Sequence, residues 1–105
     1  MIDTVRHYRI GVSEPELAAF CAKHHIVKLS VFGSAARGEL RSDSDVDVLV
    51  EFEKGCRVGL IRFAGIERQL SDMIGRTVEM RTPAELSKYF RDEVLRSAEV
   101  QYAQA

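Results

Sequence analysis

Two aspartates separated by one residue, Asp45 and Asp47, are the side chains in this sequence best suited to chemistry. They open the segment DVDVLVEF, whose alternating apolar residues are typical of a β-strand. Side chains two apart on a strand point to the same face, so both carboxylates leave the sheet together, roughly 6.5 Å apart along the backbone. Hard oxygen ligands at this spacing suit divalent cations such as Mg²⁺, which also relieve the repulsion between the two charges.

A glycine and a serine, Gly33 and Ser34, precede this pair by a spacer of ten residues. They follow the segment IVKLSVF, which also has strand-like alternation. Glycine lets a phosphate approach the backbone, and the N–H groups after it can hold phosphate oxygens together with the serine hydroxyl. Arg37 is either a further phosphate contact or a surface residue. A phosphate-binding turn ahead of two carboxylates indicates chemistry on a nucleotide triphosphate.

A third carboxylate is expected from a neighbouring strand, and Glu79 is the candidate. In the segment TVEMR at 77–81, Val78 and Met80 are predicted to face the core, so Glu79 faces away from it. Two-metal transfer of phosphoryl or nucleotidyl groups needs a base or a metal ligand close to the attacking hydroxyl. Glu79 can serve as either, and the alternative is an acidic residue that is merely exposed on a strand.

The elements that must position these residues alternate in the order α-β-(short α)-β-α-β-α. Strands are predicted over 26–32, 46–52 and 77–81. Helices are predicted over 14–25, 35–40 (a short turn), 59–74 and from 83 to about 102. This alternation predicts an α/β fold with a small mixed sheet flanked by helices, in which the first two strands can run in either relative direction.

Helix boundaries are marked by cap residues. Ser13 and Glu16 form one capping box, and Thr82 and Glu85 form another, while Gly75 ends the helix over 59–74. The apolar stripes predicted for the core are, in that helix, Leu60, Phe63, Ala64, Leu70, Met73 and Ile74, and in the last helix Phe90, Val94, Leu95, Ala98 and Tyr102.

Length and composition predict a single domain over residues 1–105, with a core at about 13–102. Apolar residues make up 46% of the chain and charged residues 30%, which argues against disorder. Fifteen basic residues against sixteen acidic ones give a net charge of −1, so strong direct binding to nucleic acid is not expected.

The apolar runs are too short to cross a bilayer, and the N-terminus lacks the pattern of a secretory signal. A cytoplasmic location without membrane contact is therefore expected, with Cys21 and Cys56 reduced. Cys21, His24 and His25 lie in one predicted helix, but a zinc site needs a fourth ligand and better-separated pairs, so we set that possibility aside.

The chain resembles the minimal nucleotidyltransferase branch of the DNA polymerase β-like superfamily. The signature of that branch is Gly-Ser, a spacer of similar length, Asp-x-Asp and a later acidic residue on a strand. The resemblance runs from residue 27 onward through four further blocks: ARGE at 36–39, SDS at 42–44, GR at 75–76 and YFRDE at 89–93. It implies a polymerase β-like domain that uses ATP and Mg²⁺. It implies two sets of site residues: Asp45, Asp47 and Glu79 as catalytic metal ligands, and Gly33, Ser34 and Arg37 as nucleotide contacts.

Members of this branch resemble antitoxins paired with helical HEPN-domain toxins. The implied activity is transfer of AMP from ATP to a tyrosine of the toxin, which neutralises it. The length agrees with this, because 105 residues leave no room for a separate acceptor-binding domain, so a partner must present the hydroxyl.

Two alternatives stay open: nucleotidyl transfer to a small-molecule hydroxyl, and a non-catalytic antitoxin that occludes its partner. The second is kept open by Glu79, because similar proteins more often have aspartate there. Residue 35 is a further departure, since similar proteins commonly have a large or basic residue where this chain has Ala35.

Overall fold

The computed structural model describes residues 12–33 and 45–104. The elements in this part of the chain are, in order, α1 (Glu14–Lys23), β1 (Ile26–Phe32), β2 (Val46–Phe52), α2 (Leu60–Ile74), β3 (Val78–Arg81), a 3₁₀ turn (Pro83–Glu85), α3 (Lys88–Ser97) and β4 (Glu99–Ala103). The short helical turn predicted over 35–40 lies outside the described residues. None of the helices described is long and apolar enough to span a bilayer.

The predicted start of α1 and the predicted end of α2 are confirmed, while α1 ends at Lys23, two residues earlier than predicted. The Ser13 hydroxyl accepts a hydrogen bond from the Glu16 N–H at 3.4 Å and donates one to the Glu16 carboxylate at 2.9 Å, so Ser13 caps α1 as predicted. Gly75 adopts a left-handed φ of 81° at the end of α2, and its N–H bonds the Ser71 carbonyl at 2.8 Å. A residue with a Cβ atom would be strained in this conformation.

The four described strands form one sheet in the order β3-β2-β1-β4. β1 runs antiparallel to β2 and to β4, whereas β2 and β3 are parallel, so the sheet is mixed as predicted. The relative direction of β1 and β2, which the sequence left open, is antiparallel. The parallel pair β2 and β3 is joined by α2, as such a pair requires a long crossover.

The prediction of one helix from 83 to about 102 is wrong. The Thr82–Glu85 capping box does form, with the Thr82 N–H bonding the Glu85 carboxylate at 2.8 Å, but it opens only one 3₁₀ turn. Ser87 then caps α3 by accepting from the Phe90 N–H at 3.3 Å, and α3 ends at Ser97. Beyond it the chain becomes β4.

The segment after α3 forms a strand because it pairs with β1, whose backbone groups would otherwise lack partners on that side. The apolar residues at 94, 98 and 102 fit a helical period, whereas those at 98, 100 and 102 fit a strand period, so the pattern alone was ambiguous. Tyr102 accordingly packs on the main core from a strand, opposite Leu29.

The sheet has two faces that differ in burial. We call the face covered by α1 and α2 the helix-packed face; its core consists of Val12, Leu17, Phe20, Cys21, Ile26, Leu29, Val31, Val46, Val48, Val50, Ile66, Leu70, Val78 and Met80. The opposite face, which carries Asp47 and Glu79, we call the carboxylate face. Its smaller cluster consists of Phe32, Leu49, Leu86 and Val94.

Some predicted core positions are wrong. Phe90 and Leu95 are 49% and 45% exposed, because α3 buries only the side that carries Val94. Leu60 is 86% exposed and Ala64 is also exposed, because α2 buries the side that carries Ile66 and Leu70. Ile66, which the predicted stripe omitted, is fully buried.

Candidate active site

The start of β2 brings the predicted acidic residues to one place. Asp45 directly precedes the strand and is exposed, and Asp47 is its second residue and is half-buried. In the parallel pairing of β2 with β3, Asp47 is the register partner of Glu79. Neighbouring strands lie about 4.8 Å apart, so the backbone sets these two residues side by side on the carboxylate face.

The orientation predicted for Glu79 is confirmed. Val78 and Met80 are each 3% exposed in the core of the helix-packed face, and Glu79 between them is about half exposed. The same alternation holds in β2, where Val46 and Val48 are fully buried on either side of Asp47. The site therefore depends on the two-residue period of both strands and on their pairing in register.

Gly33 lies against Asp47 from the other side. It follows the last residue of β1, Phe32, which is the register partner of Asp47. Gly33 has a left-handed φ of 67°, and a Cβ atom there would lie 2.5 Å from Asp47 Oδ2. Only glycine satisfies both conditions, so Gly33 leaves the space that the Asp47 carboxylate occupies.

The strand that carries Glu79 is held in place by α2. The Val78 N–H bonds Ser71 Oγ at 2.9 Å, and the Met80 N–H bonds Glu67 Oε2 at 2.7 Å. Ser71 Oγ in turn donates to the Glu67 carbonyl at 3.0 Å. β3 is thus hydrogen-bonded to β2 on one side and to helix side chains on the other, which holds the backbone of Glu79 rigid.

Glu67 and Ser71 are site-supporting residues that the sequence analysis missed. One signal was available, since they are polar residues spaced by four in a helix and Ser71 follows the predicted core residue Leu70. Periodicity alone does not reveal that they bond the backbone of an edge strand.

The Glu79 carboxylate lies toward Arg81, a positively charged residue of the same strand. Arg81 Nη2 lies 3.7 Å from Glu79 Oε1, and both side chains are about half exposed. Across residues 12–33 and 45–104, no three acidic, histidine or cysteine side chains are grouped closely enough to hold a metal ion. Binding a metal at Asp45, Asp47 and Glu79 would therefore require side-chain rotation, for which the exposed Glu79 has room.

The donor set of this face fits Mg²⁺ in its chemistry, because all three side chains offer carboxylate oxygens. Two predicted nucleotide contacts, Ser34 and Arg37, lie outside the described residues. Their roles stay predictions.

A comparison with protein families decides the assignment of the chain. The family model described as the nucleotidyltransferase domain matches residues 16–100. The chain belongs to this family. The match includes both strands of the carboxylate pair, α2 and α3, so this nucleotidyltransferase is an enzyme by family, as its sequence predicted.

Related proteins and structures agree with the assignment. The chain is 39% identical over 69 residues to protein adenylyltransferase MntA of Thermococcus cleftensis, covering 66% of this chain and 68% of the relative. A solved structure of a candidate minimal nucleotidyltransferase is 39% identical, with a TM-score of 0.68 over 81% of this chain and 85% of the other. The predicted polymerase β-like α/β fold is confirmed.

A more distant structure has the same fold. It is a complex of a tri-AMPylated Shewanella oneidensis HEPN toxin with an MNT antitoxin, and it matches with a TM-score of 0.63 at 13% identity. The match covers 87% of this nucleotidyltransferase and 70% of the other chain. At this identity the likeness establishes the fold alone.

Proposed function

We propose that this nucleotidyltransferase is an antitoxin that transfers AMP from ATP to a tyrosine of a partner HEPN toxin and so neutralises it. The observation that carries the proposal is the register of β2 and β3, which sets Glu79 beside Asp47 on one face, with Gly33 against Asp47. The relative named a protein adenylyltransferase and the fold shared with an MNT antitoxin in complex with an AMPylated HEPN toxin support the acceptor class.

Each acidic residue has a role in the proposed reaction. Asp45, Asp47 and Glu79 are the residues that would hold two Mg²⁺ ions, and bound Mg²⁺ would neutralise charge on the α-phosphate and on the leaving pyrophosphate. The phenol oxygen forms a bond to the α-phosphorus while the bond to pyrophosphate breaks. Glu79, the more exposed of the two strand carboxylates, would take the phenol proton or orient the hydroxyl.

The nucleotide contacts are proposed from the turn after β1. The left-handed conformation of Gly33 turns the chain away from Phe32 at the edge of the carboxylate face. With no Cβ atom at residue 33, a phosphate can approach the backbone beside Asp47, and Ser34 and Arg37 would complete the contacts to the triphosphate.

A tyrosine acceptor suits this site. A phenol, with a pKa near 10, loses its proton far more readily than an aliphatic hydroxyl when it approaches a cation. The transferred AMP adds bulk and negative charge to the partner. Both would block a cleft that binds RNA, because such clefts depend on attraction to phosphates.

The test is intact-mass measurement of a candidate HEPN partner protein, co-expressed with the wild type or with the Asp45→Asn/Asp47→Asn variant. We expect mass increments of AMP with the wild type only, mapped to tyrosine by peptide sequencing. Glu79→Gln should remove most of the modification, and Glu79→Asp should keep part of it, because only a carboxylate binds a cation or takes a proton.

Two outcomes would contradict the proposal. A partner that is neutralised yet unmodified by the wild type would favour occlusion without catalysis. Consumption of ATP with small hydroxyl compounds, in the absence of any partner, would favour a small-molecule acceptor.

A further inference from the structure

Arg81 is a charged residue of the carboxylate face to which the proposed reaction gives no task. It lies two residues after Glu79 on β3 and therefore on the same face. Its register partner on β2 is Leu49, which is buried under α3, whereas the partner of Glu79 is Asp47. The face thus has two adjacent rows, Asp47 with Glu79 and Leu49 with Arg81.

The Glu79 side chain has two charged neighbours, one negative and one positive. Across the strands it can reach toward Asp47, at a backbone distance of about 4.8 Å, and along its own strand it can reach toward Arg81, at about 6.6 Å. Without a cation, the approach to Asp47 brings two negative charges together. The Glu79 carboxylate instead lies 3.7 Å from the Arg81 guanidinium.

With its carboxylate near Arg81, Glu79 is not grouped with the two aspartates. Within the part of the chain that the structure describes, no three potential ligands are grouped at one point, although the backbone aligns Asp47 and Glu79 in register. The backbone is fixed by α2 through Ser71 and Glu67, so the remaining freedom is in the Glu79 side chain. Rotation of the Glu79 side chain therefore decides whether its carboxylate lies near Arg81 or near the aspartates.

We propose that Arg81 is a positioning residue that competes with the divalent cation for Glu79. It holds the third carboxylate away from the aspartates until a cation and the nucleotide are bound, so the full ligand set assembles only on a loaded site. This inference rests on the metal site of the proposed function. The pair is half exposed on both sides, so its strength is that of a surface ion pair, and the expected effect is about two- to fivefold in cation affinity.

The experiment measures Mn²⁺ binding by calorimetry on the full chain, in the presence of an ATP analogue with a methylene group between the α- and β-phosphates, which blocks release of pyrophosphate. We expect Arg81→Gln to bind Mn²⁺ about two- to fivefold more tightly than the wild type, and Arg81→Lys to lie closer to the wild type. The matched control is Arg68→Gln, which removes one exposed arginine from α2 and should change the affinity little.

A double-mutant cycle separates competition from a general effect of charge. In the Glu79→Gln background, Arg81→Gln should no longer tighten Mn²⁺ binding, because the carboxylate that Arg81 holds is gone. An Arg81→Gln variant that binds no tighter than Arg68→Gln would overturn the inference. The same gain with and without Glu79 would also overturn it.

The two proposals fail in distinguishable ways. Equal Mn²⁺ binding by the wild type and by Asp45→Asn/Asp47→Asn would refute the metal site, and with it the role of Arg81. A partner that stays unmodified while the Arg81 variants still shift Mn²⁺ affinity would refute only the transfer of AMP to a protein.

Discussion

On the helix-packed face of the sheet, fourteen buried residues of the described chain form one core under α1 and α2, whereas on the carboxylate face only four apolar residues are buried. Both faces are built from the same strands, and the difference in burial follows the alternation of side chains along each strand. Val46 and Val48 are fully buried, while Asp47 between them points to the other side. Alternate positions of one strand thus contribute either to the buried core or to the candidate site. Substitutions on the helix-packed face should therefore change stability, and substitutions on the carboxylate face should change activity.

The largest effect is expected from the carboxylate face. The Asp45→Asn/Asp47→Asn variant should lose AMP transfer on the order of 10³-fold or more, because the proposed metal ligands are gone. Its melting temperature without metal should equal or exceed that of the wild type, since two like charges are removed. Transfer from labelled ATP and thermal denaturation are the two measurements. Persistent transfer would show that the site is misassigned.

The opposite behaviour is expected on the helix-packed face. Leu70→Ala, at a fully buried position of α2, should lower the free energy of unfolding by about 2–5 kcal/mol while leaving activity per folded molecule unchanged. The control is Leu60→Ala in the same helix, where an 86% exposed side chain should matter by less than about 0.5 kcal/mol. Urea denaturation measures both, and equal losses would contradict the burial pattern.

A substitution at Gly33 tests whether the end of β1 positions the Asp47 carboxylate. Gly33→Ala should reduce transfer about 10²-fold, because the new methyl group would displace the Asp47 carboxylate. Gly55→Ala is a matched control, since Gly55 also has a positive φ, of 86°, but among the described residues none other than its chain neighbours lies within 4 Å of its Cβ position. Both variants should lose similar stability from backbone strain. A similar loss of activity in both would remove the link between Gly33 and Asp47.

A smaller effect is expected where α2 supports β3. Glu67→Ala should cost about 1–2 kcal/mol of stability, because the Met80 N–H loses a charged acceptor at a half-buried site. Glu67→Gln should cost less, since its side-chain carbonyl can still accept that hydrogen bond. Thermal denaturation measures the costs, and an equal loss in both variants would show that the charge of Glu67, rather than its hydrogen bond, matters.

The smallest effect is a pH dependence on the helix-packed face. Burial lowers the pKa of His24, and this outweighs the hydrogen bond between its Nε2 and Gln69 Oε1 at 3.1 Å, which acts to raise the pKa. The positive charges of Lys23, Arg62 and His25 add to the lowering. The unfolded imidazole gains its proton near pH 6.5, whereas the folded one resists it. Stability should therefore be highest above pH 6.5 and fall as the pH drops below it.

His24→Gln should flatten this decline, and the control His25→Gln, at an exposed position, should not. Denaturation midpoints between pH 7.5 and 5 provide the measurement. An unchanged slope in His24→Gln would show that carboxylates alone cause the acid sensitivity.

The sequence was most informative where a short period decides the outcome. Alternation in β2 and β3 correctly assigned Val78 and Met80 to the core and Glu79 to the other face, and Ser13 and Gly75 marked helix ends. The sequence could not identify β4, because the apolar residues from 94 to 102 fit both a helix and a strand. Only the pairing of this segment with β1 distinguishes the two. Nor could the sequence reveal the register of Asp47 with Glu79, since pairing between distant segments depends on how α2 packs.

The hydrogen bonds that β3 donates to Ser71 and Glu67 also protect this edge of the sheet from self-association. An edge strand with free N–H groups is a template onto which the strand of another molecule can add, and such addition leads to aggregation. On β3 the N–H groups of Val78 and Met80 are already occupied by side chains of α2. The carboxylate face can thus stay exposed while the edge strand β3 offers no N–H donor to the strand of another molecule at those two positions.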